Sequence, residues 1–179
     1  VSGSVKASSA CEAAGGLAGR NEGEIENCSF SGSVSGSSTT GGLVGENTAS
    51  GVIRASKSGG AVTGSKMTGG IVGSSRGKIV DCVNGAYVNT VSGDQAISLE
   101  NVNLDFSLDM TKLTTGDALL SSYDTGGITG YNAGTIRACE NRAIVGYQHV
   151  GYNVGGIAGR SCGYITVCQN AGAVYGRKD

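Results

Sequence analysis

The chain has 179 residues, of which 33 are glycine, with no proline, no tryptophan and only two phenylalanines. Its 13 Lys and Arg residues are balanced by 14 Asp and Glu residues, so no excess of positive charge is available for nucleic-acid phosphates. The apolar runs are only a few residues long, too short to span a bilayer. These features argue against nucleic acid as a partner and against membrane insertion.

A short glycine motif recurs along the chain. The opening Val1-Ser2-Gly3-Ser4-Val5 matches the glycine–valine segment that ends each later unit, so we expect it to be a strand of a preceding unit and the chain to be excised from a longer protein. Five copies of Gly-Gly-[Leu/Ile]-x-Gly then follow, with starts 26, 28, 57 and 29 residues apart. They begin at Gly15, Gly41, Gly69, Gly126 and Gly155.

Three further positions keep the same register after each copy. Gly-x-Ile places an isoleucine at Ile25, Ile53, Ile79, Ile136 and Ile165. Three residues later the chain has Cys28, Ser56, Cys82, Cys139 and Cys168, and nine residues after each isoleucine it has Val34, Val62, Val88, Val145 and Val174. Independent positions that keep register through five units indicate a structural repeat.

The repeat predicts an all-β parallel β-helix, or β-solenoid, as a single domain over 1–179. Glycine interrupts each unit too often for a helix, whereas short aliphatic segments between glycines suit strands. One unit buries too little apolar surface to fold alone, so units must stack. We expect about five three-stranded coils of 26–29 residues with one insertion. The Asn or Ser before Gly-x-Ile, such as Asn21, should take a left-handed corner conformation and form a polar ladder.

The combination Gly-Gly-Leu-Val-Gly-x-Asn, Gly-x-Ile-x-x-[Ser/Cys] and Gly-x-Val-x-Gly, closest at 41–64, resembles the GLUG repeat of large bacterial surface proteins. The resemblance covers nearly all of the chain except roughly 89–125. It implies a β-helix-like fold, an extracellular location at the bacterial cell surface or cell wall, and no catalytic residues. We also expect neighbouring repeats of the same chain as partners, because both ends of the segment would expose strand edges.

The resulting hypothesis is a non-catalytic scaffold or stalk of a secreted or cell-surface protein, with adhesion as an added role. A carbohydrate- or protein-binding module that uses the last coils or the acidic insertion is the alternative, and an accessory region of a secreted peptidase is least favoured. The partners would be a host or cell-surface protein or a glycan. The candidate contacts are Tyr131, Tyr147, Tyr152 and Tyr164, since tyrosines and arginines concentrate in the last two coils.

The sequence offers no catalytic, cofactor or metal site. His149 is the only histidine, and the acids outside the insertion show no repeated pairing. Cys28, Cys82, Cys139 and Cys168 share a position with Ser56, so we interpret them as an inward stack of free thiols rather than a zinc cluster. Cys11 and Cys162 fall outside this register.

Residues 89–125 interrupt the repeat. They add about one coil length and carry six acids against one lysine, a net charge of −5. The segment is either a degenerate coil or an excursion from the stack, and we favour the excursion because bulky apolar residues alternate strictly with polar ones from Val102 to Met110. Calcium binding is conceivable, but a solvated acidic face is the preferred interpretation.

Overall fold

A computed structural model describes residues 1–90, 123–147 and 151–176 of the chain. Within these ranges the protein consists of 21 β-strands and has no helix, so none of the described residues form a helix able to cross a membrane. All strand pairs are parallel and join successive coils, which stack into a β-solenoid of about five turns. The predicted fold class is therefore confirmed.

Four parallel sheets form the walls of the solenoid. The long sheet consists of β1 (Ser2–Lys6), β5 (Ser29–Gly36), β9 (Lys57–Gly64), β13 (Val83–Val88), β17 (Glu140–Asn141) and β21 (Gln169–Asn170). The double-glycine sheet consists of β2 (Ala13–Gly15), β6 (Thr39–Gly41), β10 (Met67–Gly69), β14 (Thr125–Gly126) and β18 (Val154–Gly155).

The other two sheets complete each coil. The asparagine sheet consists of β3 (Ala18–Asn21), β7 (Val44–Asn47), β11 (Val72–Ser75), β15 (Thr129–Asn132) and β19 (Ala158–Ser161). The isoleucine sheet consists of β4 (Glu24–Glu26), β8 (Val52–Arg54), β12 (Lys78–Val80), β16 (Thr135–Arg137) and β20 (Tyr164–Thr166).

Each coil thus has four strands, and the prediction of three was wrong. The double-glycine motif does not lie within one strand but turns a corner between two of them. In the third coil the corner is Gly70-Ile71, between β10 and β11. A Cβ atom on Gly70 would overlap the Asn84 side chain of the facing long sheet and the carbonyl oxygen of Gly127 in the next coil. The second glycine of the motif is required, because the facing sheet and the next coil together leave no space for a Cβ atom at this corner.

The isoleucines of Gly-x-Ile lie directly over one another. Ile25 pairs with Ile53, Ile53 with Ile79, Ile79 with Ile136, and Ile136 with Ile165. The later valines form a second column that starts at Val5, which pairs with Val34 as the sequence predicted. The middle members of these columns, with Leu43, Ile71 and Ile128 at the corners, form the buried core.

The third and fourth coils pair directly with each other. Thr68 lies beside Thr125, Ile79 beside Ile136, and Val88 beside Val145. Most of the predicted interruption at 89–125, including its acidic face and the proposed calcium site, lies outside the described residues, as does His149. The choice between a degenerate coil and an excursion stays a prediction.

The left-handed corner occurs at a different position from the one predicted. Asn21, Asn47 and Asn132 are buried strand residues, whereas positive φ occurs two residues after each isoleucine. The left-handed residues there are Asn27, Ala55, Asp81, Ala138 and Val167, with φ of 46–53°. The asparagine side chains are needed inside the coil, where they hydrogen-bond from one turn to the next, and the sharp corner falls where the isoleucine sheet meets the long sheet.

Candidate functional site

A groove runs along the solenoid axis, between the double-glycine and asparagine sheets. We call it the axial groove; its volume is about 750 Å³, and its walls include Thr39, Met67, Arg20, Glu46, Ser74 and Tyr131. The last glycine of each Gly-Gly-x-x-Gly motif lies where the sheets meet. A Cβ atom on Gly45 would come within 2.6 Å of the Ala14 nitrogen and 2.7 Å of the Gly19 carbonyl oxygen. Glycine therefore lets the two sheets close into this angle.

Charged side chains of successive coils pair across one wall of the groove. Arg20 contacts Glu46 of the next coil at 3.2 Å and also Glu22 at 2.8 Å, while Arg76 pairs with Glu46 from the other side. These arginines are more than half exposed, so the pairs contribute little to stability. Because of these pairs, positive and negative side chains alternate along this wall, and it has no strong potential of a single sign.

Tyr131 and Arg160 form a second contact at the other end of the groove. The guanidinium of Arg160 lies 4.7 Å from the centre of the Tyr131 ring, a cation–π geometry. The Tyr131 hydroxyl lies 3.1 Å from the Cys162 sulfur, and this hydrogen bond raises the pKa of the tyrosine. Arg160 also contacts Asp124 at 2.9 Å. A single arginine thus links an aromatic ring to a carboxylate.

A smaller pocket adjoins the axial groove and shares Met67 and Arg160 with it. We call it the tyrosine pocket; its volume is about 340 Å³, and its lining is Lys66, Met67, Tyr123, Asp124, Asn153 and Arg160. Beside it the rings of Tyr123 and Tyr152 are stacked, with centroids 5.1 Å apart and an angle of 8° between their planes. This pocket combines aromatic, acidic, basic and amide groups.

The four tyrosines predicted as contacts do not form one surface. Tyr131 lines the axial groove and Tyr152 stacks at the tyrosine pocket. Tyr147 and Tyr164 are exposed but line neither. Tyr123 was missed because it lies within the interruption, where the repeat register gives no guide to its position.

The predicted cysteine position is a column at the corner between the isoleucine and long sheets. Each thiol donates to the carbonyl two residues earlier, as in Cys82 to Val80 and Cys139 to Arg137, both at 3.3 Å, and Ser56 donates to Arg54 in the same way. The pKa of Cys139 is raised, mainly by a hydrogen bond with Cys82 and secondly by burial of the thiol. All six cysteines are free thiols. The described part of the chain holds no cluster of three or more His, Cys, Asp or Glu residues suited to a metal.

Two ladders of polar side chains run through the interior along the solenoid axis. Asn21 donates to Asn47 at 2.9 Å, and Asn47 to Ser75 at 3.2 Å. The second ladder was not predicted: it runs from Ser58 through Asn84 and Asn141 to Asn170, with bonds of 2.6, 2.8 and 2.7 Å. Its sequence signal is weak because the first coil has Phe30 at this position. Both ladders provide the buried amides with hydrogen-bond partners.

Comparison with known families identifies the first complete coil. The family model described as the GLUG motif matches residues 10–35, which include β2 to β4 and all but the last residue of β5. This match confirms the predicted resemblance to the GLUG repeat, which occurs in large bacterial surface proteins. The second coil pairs with this first coil in all four sheets, and each later coil pairs in the same way with the coil before it. The repeat and the solenoid fold indicate a structural repeat domain of a large protein rather than a catalytic domain.

No curated protein and no solved structure matches the chain at a significant level.

Proposed function

We propose that this segment is a non-catalytic, rigid scaffold of a large bacterial surface protein. The observation that carries the proposal is the register: equivalent residues pair from the first to the fifth coil in three sheets, and the fourth sheet adds β1. Each coil presents its strands to the next, so more coils lengthen the rod without a new fold. The GLUG motif at 10–35 supports an origin in such a protein.

We infer rigidity from side-chain contacts that continue through the interior from one coil to the next. Aliphatic columns, amide ladders and the thiol column all run along the axis, so each coil contacts its neighbours in every sheet. At about 4.8 Å per coil, five coils extend roughly 24 Å. A spacer needs this combination of fixed direction and length that scales with repeat number.

An adhesive surface is a compatible second role. The isoleucine and valine columns of the interior keep their residue type, whereas the outward column of the asparagine sheet changes from Arg20 to Glu46, Ser74, Tyr131 and Arg160. Outward positions can vary because they do not affect stacking. The grooves they line can therefore acquire contacts with a host or cell-surface protein or a glycan while the scaffold stays the same.

The modular scaffold can be tested by adding one coil. Duplicating residues 39–66, one full repeat, should give a protein that unfolds cooperatively and whose largest dimension in small-angle X-ray scattering increases by about 4.8 Å. The matched control inserts the same 28 residues in scrambled order, which keeps composition and removes register. Loss of folding in the duplicated protein would contradict a repeat scaffold.

The surface location needs a separate experiment. Antibodies raised against residues 1–179 should label intact cells of the organism that makes the protein, and external protease should remove the label. Labelling that appears only after permeabilisation would contradict this location.

A further inference from the structure

We propose that the tyrosine pocket binds an acidic sugar unit of a glycan, a role that goes beyond the scaffold. This pocket combines a half-exposed aromatic ring with a nearly buried carboxylate, an amide and two cations. Its volume of about 340 Å³ is at the lower end of small-ligand pockets, which begin near roughly 300 Å³, and suits one sugar ring.

The polar side of the pocket is held in place before any ligand arrives. Asp124, whose side chain is only 7% exposed, accepts a hydrogen bond from Asn153 at 2.7 Å on one oxygen and pairs with Arg160 at 2.9 Å on the other. Arg160 is fixed in turn by the Tyr131 ring. Amide and guanidinium groups carry more N–H donors than these contacts use, and neighbouring sugar hydroxyls can accept from them.

The aromatic side supplies an apolar surface. Tyr123 lines the pocket, stacks against Tyr152 and is 49% exposed. Stacking restrains the ring, so little conformational entropy is lost when a ligand packs against it. A sugar ring has a C–H face that fits an aromatic surface and hydroxyl edges that fit planar polar groups. An aliphatic peptide side chain would use the ring and leave the amide and guanidinium donors unmatched.

The charge of the lining favours a carboxylate on the sugar. Among the described lining residues, Lys66 and Arg160 oppose the single carboxylate of Asp124, which leaves one positive charge in excess there. Arg160 is already paired with Asp124, whereas Lys66 makes no ion pair within the described ranges. A uronic or sialic acid could therefore place its carboxylate at Lys66. Because Met67 and Arg160 also line the axial groove, adjoining sugars of a longer glycan would continue along it.

Immobilised glycans that end in neutral hexoses, uronic acids or sialic acids test the proposal with the full chain. The parent should bind acidic glycans at least tenfold more tightly than neutral ones. Tyr123→Ala should weaken this binding at least tenfold, and Lys66→Gln should remove the preference for acidic sugars. The matched control is Tyr164→Ala, which removes an exposed tyrosine outside the pocket and should leave binding unchanged.

Thermal unfolding of each variant separates the site from the scaffold. With midpoints within a few degrees of the parent, weaker binding is assigned to the pocket. Absence of glycan binding by the parent, binding confined to neutral sugars, or equal effects of Tyr123→Ala and Tyr164→Ala would overturn the proposal. Each of those results leaves the scaffold function standing, because that function rests on register and not on this pocket.

Discussion

The middle coils and the fifth coil share one repeat but differ in burial. Ile79 is fully buried, whereas Ile165, its equivalent two coils later, is 40% exposed. The backbone partners are equivalent, since Ile136 pairs with both. The two isoleucines differ on the side away from Ile136. Another coil covers Ile79 there, whereas no described residue covers the fifth coil on that side. The core of a coil is therefore completed by its neighbours, and the same repeat position contributes differently to stability in different coils.

The largest expected effect tests this comparison directly. Ile79→Ala should lower the free energy of unfolding by about 2–5 kcal/mol, because it leaves a cavity between two coils that hold their positions. Ile165→Ala, the same change at an exposed position, should cost about 1 kcal/mol or less. Chemical denaturation of both variants measures the difference. Equal losses would mean that burial in the stack does not set the value of the column.

The packed corners give the next effect. Gly70→Ala should cost about 1–3 kcal/mol or more, since the new methyl group overlaps Asn84 and the Gly127 backbone in the middle of the stack. Gly23→Ala is the control, because a Cβ atom there has no neighbour within 4 Å. Denaturation midpoints should separate the two. A Gly70→Ala protein as stable as Gly23→Ala would show that the double-glycine corner is looser than described.

A middle coil also contains a position that can be improved. The Thr129 hydroxyl is buried without a hydrogen-bond partner, and the equivalent residues Val44 and Val72 are valines. Thr129→Val should raise the stability by about 1 kcal/mol, because it removes an unsatisfied hydroxyl at nearly constant shape. Val72→Thr should lower it by a similar amount. The idea fails if both substitutions shift the thermal midpoint in the same direction.

The smallest effect is expected at the corner of the exposed fifth coil. Val167 has φ of 53°, a left-handed conformation that a β-branched residue adopts with strain. Val167→Asn places there the residue type that the first coil has at Asn27, and it should stabilise by a few tenths to about 1 kcal/mol. Val167→Ala, which matches Ala55 and Ala138, should give a smaller gain. Thermal unfolding compares them, and a lower midpoint for Val167→Asn would contradict the strain.

The sequence predicted what repeats along the axis. The columns of Ile79 and Val88 follow from register alone, because stacked parallel strands place equivalent residues together. It could not predict features that depend on the cross-section of a coil. The angle at Gly70 splits one expected strand into two, and the asparagine sheet turns Asn47 inward, which moves the left-handed corner to Ala55.

The candidate site was less predictable than the fold. Composition alone points to Tyr131 and Tyr152, but folding determines their partners: Arg160 comes from the next coil and Tyr123 from the end of the interruption. The axial groove depends on the angle between the double-glycine and asparagine sheets, and the spacing of the repeat in the sequence does not predict that angle. Repeat register therefore locates interior residues better than surface ones.

Methyl NOE spectroscopy of the chain labelled at Ile, Leu and Val tests the stacked register most directly. The account predicts contacts between side-chain methyls in the order Ile25–Ile53–Ile79–Ile136–Ile165, including the step from Ile79 to Ile136 across the interruption. Contacts of Ile79 and Ile136 with other residues, and none with each other, would contradict it.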